Sequence, residues 1–139
     1  MIGDWGNIKI DEDKVWKDSV NELKANLILM NQAQLRQGYG SDGIKLPAYS
    51  LAYARKKGVS ILPKTINDTG LFYKGFYVLI TDKYIEIGSR DRKTFFLENN
   101  KKILGDSKIF GLVDENIKEF INLFIPIYTH NLTNAIIRA

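Results

Sequence analysis

The 139-residue chain contains no cysteine, which excludes disulfide staples, thiolate metal ligands and thiol nucleophiles together. It has a single histidine, His130, too few for the common zinc sites and for most histidine-based acid–base catalysis. No apolar run reaches the roughly 18 residues needed to span a bilayer, so no membrane is expected among its partners. The opening MIGDWGNIKIDEDK lacks an apolar h-region and is acidic where a signal peptide is basic. Internal repeats, low-complexity tracts and long linkers are also missing, so one domain over 1–139 is expected. These absences exclude more enzymes than they suggest.

What is present argues for a packed fold. Hydrophobic residues make up 45% and aromatics 12%, enough for a core and too much for a disordered chain. The net charge of +4 is mild and divides evenly between the halves, without a basic tail or acidic arm. Two basic clusters stand out locally. Arg55, Lys56 and Lys57, followed by Lys64, form a stretch without an acid. Arg90, Arg92, Lys93, Lys101, Lys102 and Lys108 gather around Asp91, Glu98 and Asp106. Lysine predominates over arginine, which suits a solvated face better than bidentate phosphate readout.

The hydrophobic period changes along the chain. Trp16, Val20, Leu23, Leu27 and Met30 recur in steps of four and three, predicting one long helix from Asp13 to Gln37. Asp11 or Asp13 can cap its start, and Gly38 and Gly40 bracket its end. Gly38 to Gly43 reads as a mobile loop. A short helix follows over Tyr49–Lys57, with Tyr49, Ala52 and Tyr53 inward and Gly58 as its C′ residue. Pro63 and Asn67-Asp68-Thr69-Gly70 break the chain again. Thr69 and Gly70 are assigned to turn geometry, since glycine tolerates positive φ.

Phe76–Ile80 and Tyr84–Ile87 then form a β-hairpin around Thr81-Asp82-Lys83, ending at Gly88 and Ser89. The first arm is apolar on both faces and should be covered on both; Glu86 makes one face of the second wet. A short helix over Arg92–Asn99 carries Phe95, Phe96 and Leu97. The last helix begins with Asp114 as N-cap and buries Ile117, Phe120, Ile121 and Phe124, extended by Tyr128, Leu132 and Ile136. Pro126 lacks the donor for the Asn122 carbonyl and should kink or break it. The expected class is α+β: a long N-terminal helix on a small antiparallel sheet with a β-hairpin, short helices and a kinked C-terminal helix.

Chemistry is sparse. Asp82 with Asp91-Arg92-Lys93 has the outline of a magnesium nuclease, but Asp82 lies in the hairpin turn and Asp91 beyond the strand. Surface charge around a turn explains both. Asp11-Glu12-Asp13 and Glu115 with Glu119 suit helix starts, and no glycine run matches a phosphate loop. Catalytic, cofactor and metal residues are therefore assigned to none. The residues singled out are partner contacts. Arg55, Lys56 and Lys57 form a charged face, and Trp5 and Ile8, with Ile2 and Ile10, make an apolar N-terminal segment. That cluster is costly to leave in water, so residues 1–12 either dock or serve as an arm gripping a partner. Tyr39, Tyr49, Tyr53 and Tyr73 accompany the basic clusters, the composition of a single-strand-binding surface. A stand-alone nucleic-acid-binding protein is thus the alternative reading.

The order of segments carries a resemblance. Leu46 to Gly58 reads LPAYSLAYARKKG, a polar loop giving way to an aromatic residue, a short helix and lysine. Asn67-Asp68-Thr69-Gly70-Leu71-Phe72, the hairpin ending Ile87-Gly88-Ser89, Lys93 to Leu97 and Ile109-Phe110-Gly111-Leu112 follow. In this order they resemble the tail-completion and virion-morphogenesis proteins of tailed bacteriophages, small neck or head–tail joining components. The matching stretch is roughly 46–112, about half the chain; Tyr49 stands where that family often has tryptophan. The resemblance implies a structural virion protein of the neck or upper tail, made in the bacterial host cytoplasm, and no enzyme. It implies a homo-oligomeric ring that joins the portal and connector to other tail proteins, with no cofactor. Basic loops lining such a ring would meet passing DNA as phosphate, without reading sequence.

Overall fold

A computed structural model describes residues 2–5, 8–47, 55–56, 70–92, 94 and 108–138, with the backbone alone for 2–5 and 8. Strands β1 (Ile2–Trp5) and β2 (Ile8–Asp11) pair antiparallel, Trp5 opposite Ile8 and Ile2 opposite Asp11. Asp11 then caps helix α1 (Glu12–Asn21), its carboxylate accepting from the Lys14 N–H at 3.1 Å. Glu12 and Asp13 occupy the first turn, where the helix dipole favours them. Ile10 is only 2% exposed, and β2 lies against the last helix. From Ile10 onward the N-terminal segment is therefore docked rather than a free arm.

The single long helix expected from Asp13 to Gln37 is two helices, α1 and α2 (Lys24–Arg36). At Leu23 the N–H bonds the Val20 carbonyl at 2.9 Å, a tighter i−3 pairing that separates the two ladders. The apolar stripe survives this step, with Val20, Leu23 and Leu27 all buried. Two packing directions explain the break: α1 lies against the C-terminal helix and α2 against the hairpin. α2 closes as a Schellman motif, in which the Gly38 N–H bonds Leu35 and the Tyr39 N–H bonds Gln34. Gly38 supplies the required φ of 90°.

The loop after it is tied down, contrary to the mobility expected from its glycines. Tyr39 and Lys45 form an isolated bridge, and the Gly40 N–H bonds the Ile44 carbonyl. The Ser41 N–H reaches the Lys108 carbonyl at 2.8 Å. Gly70, at φ 79°, starts the short helix α3 (Leu71–Lys74), as its turn-forming role predicted.

Strands β3 (Phe76–Ile80) and β4 (Ile85–Ser89) form the expected hairpin, with Phe76 opposite Ser89 and Ile80 opposite Ile85. Gly88 and Ser89 belong to the strand instead of ending it. Phe76 and Val78 point into the core, while on the other face Tyr77 is half-buried and Leu79 is 48% exposed, so that face is covered only in part. Of the described helices, α1 and α2 lie against β3, with Leu23 and Leu27 in one cluster with Val78. On the other face the Arg90 guanidinium lies over the Tyr77 ring, 5.3 Å from its centroid.

Helix α4 (Asp114–Arg138) runs through Pro126 without a break. The carbonyl that Pro126 cannot satisfy belongs to Asn122, an exposed residue, and an unpaired carbonyl costs little on a solvated face. The Ile117 N–H already bonds the Val113 carbonyl, so Asp114 lies in the first turn rather than at the cap. The class is α+β as expected, with two two-stranded ribbons among the described residues in place of one small sheet. Leu35, Leu46, Phe72, Tyr73, Phe76 and Ile109 form one core cluster; Val20, Leu23, Leu27, Val78 and Phe120 form the other. The expected helix over Tyr49–Lys57, apart from Arg55 and Lys56, lies outside the described residues. So do Asn67-Asp68-Thr69 and, apart from Arg92 and Thr94, the expected helix over Arg92–Asn99.

Candidate functional site

Helix α4 enters the fold through a set of buried amides on α2. Asn31, completely buried, donates to the Ile109 carbonyl and accepts from the Gly111 N–H, both at 2.9 Å. One turn on, Gln34 donates to the Gly111 carbonyl at 3.0 Å and accepts from the Val113 N–H at 2.8 Å. Gln34 also accepts from the Asn116 side chain at 2.9 Å. Between them the two amides bond alternate backbone groups as a neighbouring strand would. Gln32, on the adjoining face, donates to the Tyr73 carbonyl at 2.8 Å. Buried amides left without such partners would be costly, and here they fix where α4 begins.

A second polar node holds the far half of α4. The Asn131 amide donates to Ser19 Oγ at 3.0 Å and to Glu22 Oε2 at 2.9 Å. The apolar contact lies between the two nodes. Phe124 meets Trp16 edge-on at 5.3 Å and stacks with Phe120 and Tyr128. Trp16 in turn donates to the Thr81 carbonyl at 2.8 Å.

Sequence periodicity placed Ile117, Phe120, Ile121 and Phe124 on one buried face. Phe120 alone of these is fully buried. Ile117 is 41% exposed and Ile121 44%, because the helix docks on the adjacent face through Phe120, Phe124, Ile127 and Asn131. The amide contacts at the N-terminal end set that rotation. The consequence is a second apolar stripe, Ile117, Ile121, Ile125, Tyr128, Leu132 and Ile136, in steps of four and three. It runs about 28 Å along the helix. Contiguous apolar area of this kind on a small protein marks an interaction surface.

Arg55 and Lys56 are exposed and helical, as a charged face requires; Lys57 lies outside the described residues. Trp5 and Ile8 face each other in the β1–β2 register by backbone. Tyr73 is buried under the Arg36 guanidinium at 4.7 Å, which removes it from the tyrosine surface; Tyr39 remains exposed. Tyr49 and Tyr53 are outside the described residues. Asp82 and Asp91 lie at opposite ends of the hairpin, separated by the length of β4, about 17 Å. That separation overturns the nuclease outline.

A groove of about 800 Å³ between α2, the Tyr39–Gly43 loop and the start of α4 carries Asp42, Asp114, Glu115 and Glu119. Among the described residues no three histidine or acidic groups converge as a metal site would need. Lys14, on the exposed flank of α1, has its pKa raised by a hydrogen bond and charge from Asp18, a helix-surface pair at 2.9 Å. The amides were not anticipated from sequence. Their signal was there in Asn31, Gln32 and Gln34 interrupting the apolar positions of a helix whose stripe should have continued through them. The chain matches no family model, no curated protein and no solved structure.

Proposed function

We propose that this chain is a structural, non-catalytic virion protein of the phage neck or upper tail, assembled as a homo-oligomeric ring between the portal or connector and the tail. The observation that carries this reading is the uncovered stripe on α4. A 25-residue helix with one fully buried side chain, whose exposed isoleucines include Ile117, Ile121 and Ile125 along one stripe, is built to be covered by a neighbour. The amide contacts at Asn31 and Gln34 support the same reading, since they hold that surface in a defined direction. The order of segments between Leu46 and Leu112 supplies the phage context.

Arg55, Lys56 and Lys57 provide the charged contact surface, facing protein or the phosphate of passing DNA. Stand-alone nucleic-acid binding draws less support, because burial of Tyr73 takes one stacking ring from the basic surface.

The test is quantitative mass spectrometry of density-purified particles, scaling this chain against the portal protein. A near-stoichiometric ratio is expected. Absence from particles sinks the reading. Intact assembly and infectivity after charge reversal at Arg55, Lys56 and Lys57 removes those three residues from the contact surface.

A further inference from the structure

β3 and β4 form a ribbon of two strands, and among the described residues none pairs with the outer edge of β4. Two hydrogen bonds set the phase of the ladder: Thr81 N–H to the Tyr84 carbonyl, and Arg90 N–H to the Gly75 carbonyl, each 3.0 Å. Bonded and non-bonded pairs alternate in an antiparallel ladder. Tyr77 with Gly88, and Leu79 with Glu86, are therefore the bonded pairs. Ile85 and Ile87 turn their N–H and C=O groups away from β3. No described residue pairs with these four groups. The next outward carbonyl, that of Ser89, is taken by the Thr94 hydroxyl at 3.0 Å, so the free edge runs from Ile85 to Ile87.

A groove of about 480 Å³ lies beside this edge, within the range of binding clefts. Its walls are Tyr84, Ile85 and Ile87 on one side and Leu112, Ile117 and Phe120 on the other. Tyr84 is 57% exposed and Ile117 41%. Among the described residues, Glu86 is the one charged residue on its walls. An open strand edge beside an apolar groove is the arrangement that accepts an added strand.

We propose that this groove takes a short extended segment of another protein, with an apolar–basic–apolar triplet, as a third strand on β4. The two apolar side chains share the face of Ile85 and Ile87 and reach toward Leu112 and Phe120. The middle residue falls in the row of Glu86, where a cation is favoured and an acid disfavoured. A second copy's β4 does not fit. Pairing the open edge with itself sets Glu86 opposite the same carboxylate, and any longer overlap needs the Ser89 carbonyl that Thr94 occupies. The inference concerns this one surface and stands whether or not a ring forms.

The experiment titrates the isotope-labelled full chain with a blocked peptide, Thr-Val-Lys-Val-Thr, and follows amide hydrogen exchange by NMR. Exchange at Ile85 and Ile87 is expected to slow roughly tenfold or more at saturation. Replacing the peptide's lysine with glutamate should weaken binding about two- to fivefold, and Glu86→Lys should reverse that preference. Unchanged exchange at millimolar peptide overturns the proposal. Protection that rises with protein concentration without peptide assigns the edge to a second copy and overturns it equally. Slowed exchange with no preference between lysine and glutamate overturns the stated chemistry of the partner.

Discussion

Gln34 and Asn116 are joined side chain to side chain at 2.9 Å across 82 residues of sequence. The same Gln34 oxygen accepts from the Val113 N–H, so one amide on α2 holds both the approach to α4 and its first turn.

Asn31→Ala removes a side chain that satisfies two backbone groups, the Ile109 carbonyl and the Gly111 N–H. The first would be left short of a partner in a buried place and the second in a half-buried one, at about 1–3 kcal/mol and somewhat less. Urea denaturation should show a loss of about 2–4 kcal/mol. A loss no larger than that of an ordinary surface substitution would mean that the segment from Ile109 to Gly111 is held by its apolar side chains instead.

Gly111 and Gly43 provide a matched pair. Both have positive φ, 117° and 78°, but a Cβ at Gly111 would come 3.2 Å from Ser41 Cβ, whereas Gly43 faces open space. Gly43→Ala should cost about 1 kcal/mol, from left-handed backbone alone. Gly111→Ala should cost more, about 2–3 kcal/mol, since its φ also lies beyond the usual left-handed well. Thermal unfolding of the two variants side by side checks the order; equal losses would remove the steric part of the explanation.

Gly88 lies beneath the Tyr77 ring, where an added Cβ would approach the phenol oxygen to 2.6 Å. Gly88→Ala should displace the ring from its contact with Arg90 and cost about 1–3 kcal/mol. In a Tyr77→Ala background the same substitution should become nearly neutral. A double-mutant cycle reads this directly, and additivity of the two changes would show that Tyr77 is not the obstacle.

Pro126 sits in the middle of α4 and is exposed. Pro126→Ala restores a donor to the Asn122 carbonyl and should raise stability by about 1–3 kcal/mol. A fall in stability on denaturation would show that α4 bends at this residue to meet α1.

Ile121→Lys and Ile125→Lys place charge on the uncovered stripe. The isolated chain should keep its stability within about 0.5 kcal/mol, because neither side chain is part of the core. If the proposed ring uses this stripe, assembly, followed by light scattering and by incorporation into particles, should be lost. Retained assembly would place the subunit contact elsewhere.

Local chemistry written in the sequence was legible wherever a few adjacent residues decide the outcome. Asp11 before an acidic first turn, Gly38 after the last turn of α2, Gly70 ahead of α3 and the alternation Ile85-Glu86-Ile87 each specify a cap, a turn or a strand through short-range sterics and hydrogen bonding. The class followed from these, and so did the stripe of Val20, Leu23 and Leu27. Tertiary structure alone decided what long-range partners decide. Periodicity marks α4 as apolar on a broad arc but not which part of the arc is buried; amides 80 residues away, Asn31 and Gln34, rotate the helix onto Phe120 and leave Ile117 and Ile121 outside. The step at Leu23 has the same origin, since the two halves of one stripe answer to different neighbours. Pro126 is accommodated in a continuous helix where both it and Asn122 are exposed, a fact of position that its identity does not contain.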